Sequence, residues 1–324
     1  MNDLPDGLRQ FLASAGWDGA QIDTIPGDAS FRRYFRVSQG GRSAMLMHAP
    51  PPHEDPQPFL DVAAWLTANG MRAPAIYAAD AVKGWVLLED FGNDRMRDWL
   101  VVHPHEEQAA YAAAIDALVA LHRRDPGPFA PYDMEAYLRE TAVFTEWYCP
   151  AVGLAVDADS YARAWQAVLA PLLARQTPGV TVLRDYHAEN VMLLPCGDQG
   201  LIDFQDALVG HRAYDLVSML QDARRDVSPE LERRMLDRYQ SQVDAGPDFE
   251  ADYARLGAQR NAKIVGVFTR LWKRDGKSAY LALIPRVWTQ LERDLTHPAL
   301  APVAAWFDAN IPRALRDELG GHPL

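Results

Sequence analysis

The chain has 324 residues, 48% hydrophobic and 23% charged, a globular composition longer than one hydrophobic core usually fills, so two lobes with a cleft between them are expected. Lys and Arg total 32 against 44 Asp and Glu, and the formal net charge of −12 repels a polyanion, which argues against nucleic acid as a partner. Cys149 and Cys196 are too few for a disulfide framework and lack zinc-site spacing, MNDLPDGLRQFLASAG has no signal-like core, and no stretch resembles a membrane span, so a cytoplasmic monomer without membrane partners is expected.

Leu8, Phe11 and Leu12 recur at helical spacing after Pro5 and Asp6, which predicts a short opening helix that stops near Gly16. FRRYFRV at 31–37 and SAMLM at 43–47 have strand character and flank the turn signal Gln39-Gly40-Gly41, a hairpin preceded by the loop 26–30. Alternation puts Arg32, Tyr34 and Arg36 on one face and Arg33, Phe35 and Val37 on the other, with the apolar side toward the core. After the proline-rich APPPHEDPQP, FLDVAAWLTANG aligns Phe59, Val62, Ala63 and Leu66 on one helical face ahead of Gly70.

Two more strand-like runs follow, AIYAA and GWVLLED, and EDFGNDR then breaks the pattern. The lobe boundary is placed there, giving residues 1–91 and 92–324. The second part is mainly helical, with EEQAAYAAAIDALVALHRR, MEAYLRETAVFTEWY, SYARAWQAVLAPLLARQ and YDLVSMLQDARRD as its clearest segments. It is interrupted by short strands at 180–183, 191–194 and 200–203, read as a loop-bearing hairpin.

That interruption, VLRDYHAENVMLLPCGDQGLIDFQD, carries the chemistry. Moving a phosphoryl group needs a carboxylate to receive the acceptor's proton and hard oxygen ligands to hold Mg²⁺ on the phosphates. Asp185 ends one apolar run, Asn190 follows five residues later, and Asp203 closes the next. The competing reading is ordinary turn chemistry on a hairpin.

DYHAEN resembles the Asp-x-His-x-x-Asn catalytic loop of the aminoglycoside phosphotransferase-like kinases, and LIDF resembles that family's metal-binding Asp-Phe segment. LVALH at 118–122 and AYDL at 213–216 are similar to the helices that flank these motifs, in the same order. The resemblance implies an α+β, bilobal protein-kinase-like fold with a small β-sheet N-terminal lobe for the nucleotide and a larger helical C-terminal lobe. It also implies ATP and Mg²⁺ as cofactors, Asp185 as catalytic base, Asn190 and Asp203 as Mg²⁺ ligands, and His187 and Asp215 as supports of the catalytic loop.

The chain departs from that pattern in three places. Arg184 stands where the family usually has the Gly of His-Gly-Asp, so it is expected to touch the acceptor or brace the loop. Gln205 replaces the Gly of Asp-Phe-Gly. The third strand offers Met47 or His48 where a phosphate-binding Lys is expected, so Arg32, Arg33 or Arg36 must supply the charge, Arg32 foremost. Ser30 and Phe31 join Arg32 and Arg33 as nucleotide contacts, and Leu88–Gly92 resembles the hinge that reads adenine through its backbone, bringing in Glu89 and Phe91. Such a hinge does not separate ATP from GTP.

GDASFRRYFRV, APPPHED, FTEWY and QRNAKIVGVFTRLWKRDGKSAYL together resemble the anomeric sugar kinases that phosphorylate N-acetylmuramate and N-acetylglucosamine. This likeness implies a small amino-sugar substrate phosphorylated at its C1 hydroxyl, in cell-wall recycling. Arg184, Glu140, Glu146 and Trp147 are the acceptor-site candidates, although Phe144, Trp147 and Tyr148 also have the spacing of core residues. A lactyl carboxylate would need a cation, for which Arg260 leads over Arg270 and Arg286. The alternatives are a kinase of aminoglycosides, choline or homoserine, a nucleotide-binding pseudokinase motivated by the absent Lys, and a metal-dependent hydrolase using His187, Glu189 and Asp203.

Overall fold

Period-two alternation in RYFRVSQ buries Phe35 and Val37 while Tyr34 and Arg36 stay half-buried, so this segment forms one strand of a sheet with a covered face. The computed structural model describes residues 4–26 and 31–321. Five strands, Gln21–Ile25 (β1), Arg33–Gln39 (β2), Arg42–His48 (β3), Ile76–Asp80 (β4) and Trp85–Glu89 (β5), make an antiparallel sheet in the order β1-β2-β3-β5-β4. Gly40 and Gly41 both have positive φ, 58° and 81°, which the two-residue turn between β2 and β3 requires. The register sets Phe35 opposite Leu46 and Leu46 opposite Leu87, so one apolar stripe crosses three strands.

The helix Leu8–Ser14 (α1) lays Leu8 and Leu12 on that stripe together with Trp17 and Trp85. The helix Gln57–Ala68 (α2) buries Phe59, Val62, Ala63 and Leu66, the four residues its periodicity selects.

Four three-residue strands follow: Val180–Val182 (β6), Val191–Leu193 (β7), Gln199–Leu201 (β8) and Leu208–Gly210 (β9). They do not form one hairpin, as the sequence suggests. β7 pairs with β8, whereas β6 pairs with β9. The chain accordingly divides into two compact units, Met1–Met96 with Asn190–Asp206, and Arg97–Glu189 with Ala207–Leu324.

The second unit is helical. Asp133, Asp157 and Ser228 cap Met134–Val143, Ala158–Arg175 and Pro229–Gln240 with side-chain oxygens that accept orphan N–H groups. Its longest helix, Phe249–Asp275, ends at Gly276 with φ 70° after Lys273 and Arg274, as the macrodipole and a left-handed cap favour. Gly266 lets this helix approach a π-helical turn at Phe144–Tyr148, because a Cβ there would lie 2.4 Å from the carbonyl of Val143. No helix among the described residues is long and apolar enough to cross a membrane.

Candidate active site

In the sheet-bearing unit, the β7–β8 hairpin sets Asn190 beside Asp203. Val191 is opposite Leu201, and the Ile202 N–H donates to the Asn190 carbonyl at 3.1 Å. The hairpin is tied down by Leu193 N–H on the Asp94 carbonyl and Leu201 N–H on the Arg72 carbonyl, both 2.8 Å. Phe204 is buried and stacks on Phe59 of α2, centroids 5.0 Å apart, which fixes the residue before it. Asp203 has φ 59°, a left-handed conformation that Asp tolerates better than most residues.

The Asp203 carboxylate is well supplied with donors. Its Oδ1 lies 3.3 Å from Arg32 Nη2 and accepts from Gln205 Nε2 at 3.1 Å, while Oδ2 is 3.5 Å from the Asn190 amide. One carboxylate beside one amide is a hard-oxygen pair that fits Mg²⁺, an ion that takes its remaining ligands from water and phosphates. Among the described residues no group of three or more His, Cys, Asp and Glu could hold a metal.

Burial opposes the charge on Arg32, but Tyr34, Asp203, Glu54 and Asp206 outweigh it and hold its pKa above the ordinary value. Burial, with little relief from Arg32, pushes the neighbouring Tyr34 phenol up to about 12. Arg33 lies over the Phe35 ring, Arg36 bonds the Asp90 carboxylate and the Gly92 carbonyl, and Arg32, just ahead of β2, meets Asp203. Met47 is fully buried, and burial together with Arg33 depresses His48, so β3 carries no cation at its end. Phe31 is exposed and stacked on His53, and Ser30 lies outside the described residues.

The side chains of the hinge-like segment brace it. Glu89 accepts from both Arg72 amines, at 2.8 and 2.5 Å, and this pairing draws its pKa down. The same guanidinium lies 4.7 Å over the Phe91 ring. Both side chains of the segment are thereby engaged by Arg72.

In the helical unit, Asp215 sits in the first turn of Ala213–Leu220 with no exposed surface. Its oxygens accept the N–H groups of Leu183 at 2.7 Å and Arg184 at 2.8 Å. Arg184 has φ 70°, which explains why a Gly suits this position and how an Arg is held there. Burial pushes the Asp215 carboxyl up to about 7 against the pull of those two N–H groups. Asp185 follows, half-buried. Burial opposes its charge, yet Lys263, His187, Arg260 and Arg184 hold its pKa below the usual carboxylate range.

Glu140 is the hub of the acceptor-side candidates. It receives Arg184, the Tyr132 hydroxyl, Lys263 Nζ at 3.0 Å and Gln259 Nε2 at 3.4 Å, a set that occupies a carboxylate's lone pairs. Burial opposes its charge, but Lys263 and Arg184 keep it ionised. Arg260 is buried one helical turn before Lys263, with Nη1 lacking a hydrogen-bond partner. Glu146 is exposed and Trp147 half-buried, while Phe144 and Tyr148 are core. Arg286 is committed to Asp226 and the Ala223 carbonyl. Burial draws the His187 pKa down, and Glu189 is held at 2.7 Å by both Arg97 and Arg224, so it is not available as a hydrolytic metal ligand.

Sequence reasoning passed over Lys263, Tyr132 and the contact of Gln205 with Asp203. For Lys263 a signal existed: in QRNAK, polar residues occupy consecutive positions of a helix that buries Gln259, Arg260 and Asn261.

The family model described as "Phosphotransferase enzyme family" matches residues 21–257. The chain is 37% identical to the N-acetylmuramate/N-acetylglucosamine kinase of Caulobacter vibrioides, covering 93% of this chain and 95% of that protein. It is 36% identical to the protein of the same name from Pseudomonas aeruginosa, covering 88% of each. Among solved structures, the choline kinase LicA of Streptococcus pneumoniae has a TM-score of 0.64 at 13% identity, covering 91% of this chain and 97% of that one. An ADP-bound aminoglycoside phosphotransferase has a TM-score of 0.60 at 13% identity over 94% of this chain and 99% of that one. These neighbours establish the fold.

Proposed function

Since this chain belongs to the phosphotransferase enzyme family, we propose that it transfers the γ-phosphate of ATP to the C1 hydroxyl of N-acetylmuramate or N-acetylglucosamine, yielding the sugar 1-phosphate in cell-wall recycling. It is a kinase with a hydroxyl acceptor, and the sugar follows from relatives matched over nearly the whole chain. The observation that carries the chemistry is the loop at 183–187, anchored through Asp215, whose half-buried carboxylate Asp185 is kept ionised by surrounding cations.

Asp185 receives the acceptor's proton. An anomeric hydroxyl is more acidic than an ordinary alcohol, so a base with no raised pKa suffices late in the transfer. Asn190 and Asp203 would hold Mg²⁺, which neutralises charge on the β- and γ-phosphates. Arg32 supplies the cation that β3 lacks, Ser30, Phe31 and Arg33 serve as further nucleotide contacts, and the backbone near Glu89 and Phe91 takes the adenine. Arg184, Glu146, Trp147 and Arg260 serve the acceptor, with Glu140 holding Arg184 and Lys263 in place, and the reading carries with it a cytoplasmic enzyme.

The charges near Asp185 favour a sugar over the other acceptors. Arg184, Arg260 and Lys263 act electrostatically on this carboxylate, and their charge would disfavour choline or a polycationic aminoglycoside. Incubation with Mg·ATP and a panel of sugars and amines, reading ADP release and ³¹P NMR, tests the assignment. Phosphate on C1 abolishes the reducing end, and phosphate on any other position refutes the anomeric reading. Asp185→Asn should lower kcat by orders of magnitude while ATP affinity is kept.

A further inference from the structure

We propose that Arg32 couples metal to nucleotide, holding the Asp203 carboxylate in the free protein and exchanging it for the nucleotide's phosphates, so that the metal alone binds poorly. The inference rests on the kinase reading above and adds to it an order of events at one side chain.

The geometry lies within the sheet-bearing unit. Arg32 Nη2 stands 3.3 Å from Asp203 Oδ1, the oxygen that also accepts from Gln205, and Oδ2 faces the Asn190 amide at 3.5 Å. Both carboxylate oxygens are thus attended by donors. A divalent cation entering here meets a guanidinium on the same carboxylate, and two cations at that separation repel. The Arg32 side chain is only 14% exposed against 41% for Asp203, so the guanidinium is the more sheltered partner and is not readily swept away by solvent.

Phosphate gives Arg32 a better anion. Arginine pairs bidentately with phosphate oxygens, and these bonds are stronger than a 3.3 Å contact to a carboxylate shared with Gln205. Glu54 and Asp206 act on Arg32 as well, so its charge keeps local compensation when it leaves Asp203. Release of Asp203 then opens the metal position as the phosphates arrive. By linkage the effect is reciprocal: whatever factor nucleotide gains for the metal, the metal gains for nucleotide.

The test uses Mn²⁺ as an EPR-visible probe with the full chain. Binding is titrated without nucleotide and with ADP, in the wild type, Arg32→Met and Arg32→Lys, with thermal melts to confirm folding. Arg32→Met should bind Mn²⁺ about tenfold more tightly than the wild type without nucleotide, a factor within the usual range of site coupling. Its ADP affinity should fall, and the gain in Mn²⁺ affinity on adding ADP should shrink. Arg32→Lys, which keeps the charge but not the bidentate fork, should hold Mn²⁺ affinity without nucleotide near the wild-type value.

Mn²⁺ binding that is unchanged or weaker in Arg32→Met overturns the proposal, as does an Asp203→Asn variant that binds Mn²⁺ as the wild type does. Wild-type protein that fails to bind ADP in calorimetry removes the kinase reading itself, a result distinct from the other two.

Discussion

Replacing Asp215 isolates the role of one buried carboxylate in shaping the loop that carries Asp185. Its two oxygens accept the N–H groups of Leu183 and Arg184 at 2.7 and 2.8 Å, and the residue has no exposed surface. Asp215→Ala leaves two buried N–H groups unsatisfied, at about 1–3 kcal/mol each, so a loss of about 2–6 kcal/mol is expected. Asp215→Asn keeps one acceptor and should lose roughly half of that. The pH dependence gives a sharper check. The folded pKa, pushed by burial to about 7, lies above the unfolded value, so the folded protein holds the extra proton between the two. Stability from this group is therefore full below the unfolded pKa and is lost as pH rises through 7. At about 1.4 kcal/mol per pH unit, the deficit of Asp215→Asn relative to the wild type should shrink by about 3 kcal/mol between pH 5 and 8. Urea unfolding at several pH values measures it. A deficit that grows with pH would refute the reasoning, because it would mean that the two N–H groups outweigh burial and keep Asp215 ionised.

Other substitutions examine separate parts of the fold. Arg184→Gly should be more stable than Arg184→Ala by about 1 kcal/mol in urea, because both lose the Glu140 ion pair but only Ala keeps the left-handed strain at φ 70°. His122 places Nδ1 2.7 Å from the Tyr239 hydroxyl with Nε2 buried and unpartnered, and burial, helped by Arg212 and His211, lowers its pKa to about 3. Its stabilising share is present above the unfolded pKa and is lost as pH falls toward 3, so His122→Gln should flatten acid destabilisation below pH 6.5 by about 1.4 kcal/mol per unit. Gly266→Ala puts a Cβ 2.4 Å from the Val143 carbonyl and 2.6 Å from the Phe144 nitrogen. It should cost about 1–3 kcal/mol or more, seen as a lowered Tm.

Much of the sheet-bearing unit was legible before any coordinates. The Phe59, Val62, Ala63, Leu66 face and the Gly40-Gly41 turn depend on short-range periodicity and on the φ freedom of glycine, both written in neighbouring residues. The motif residues were legible as types, since Asp185, Asn190 and Asp203 announce the chemistry they can perform. Their surroundings were not legible: Lys263 was passed over although it reaches Glu140 from a different helix, and Glu140, expected to contact substrate, has its lone pairs taken by four donors.

By itself, then, the sequence determined the strand and helix faces, the order of the motifs and the absence of a cation at the end of β3, because each depends on local spacing and residue type. The tertiary structure alone decided that β6 pairs with β9 and β7 with β8, that Arg32 rather than Arg33 or Arg36 meets Asp203, and that Asp215 supports a left-handed Arg184. Those outcomes depend on groups far apart in the chain, and partner choice among buried charges follows distance and desolvation, which no run of adjacent residues encodes.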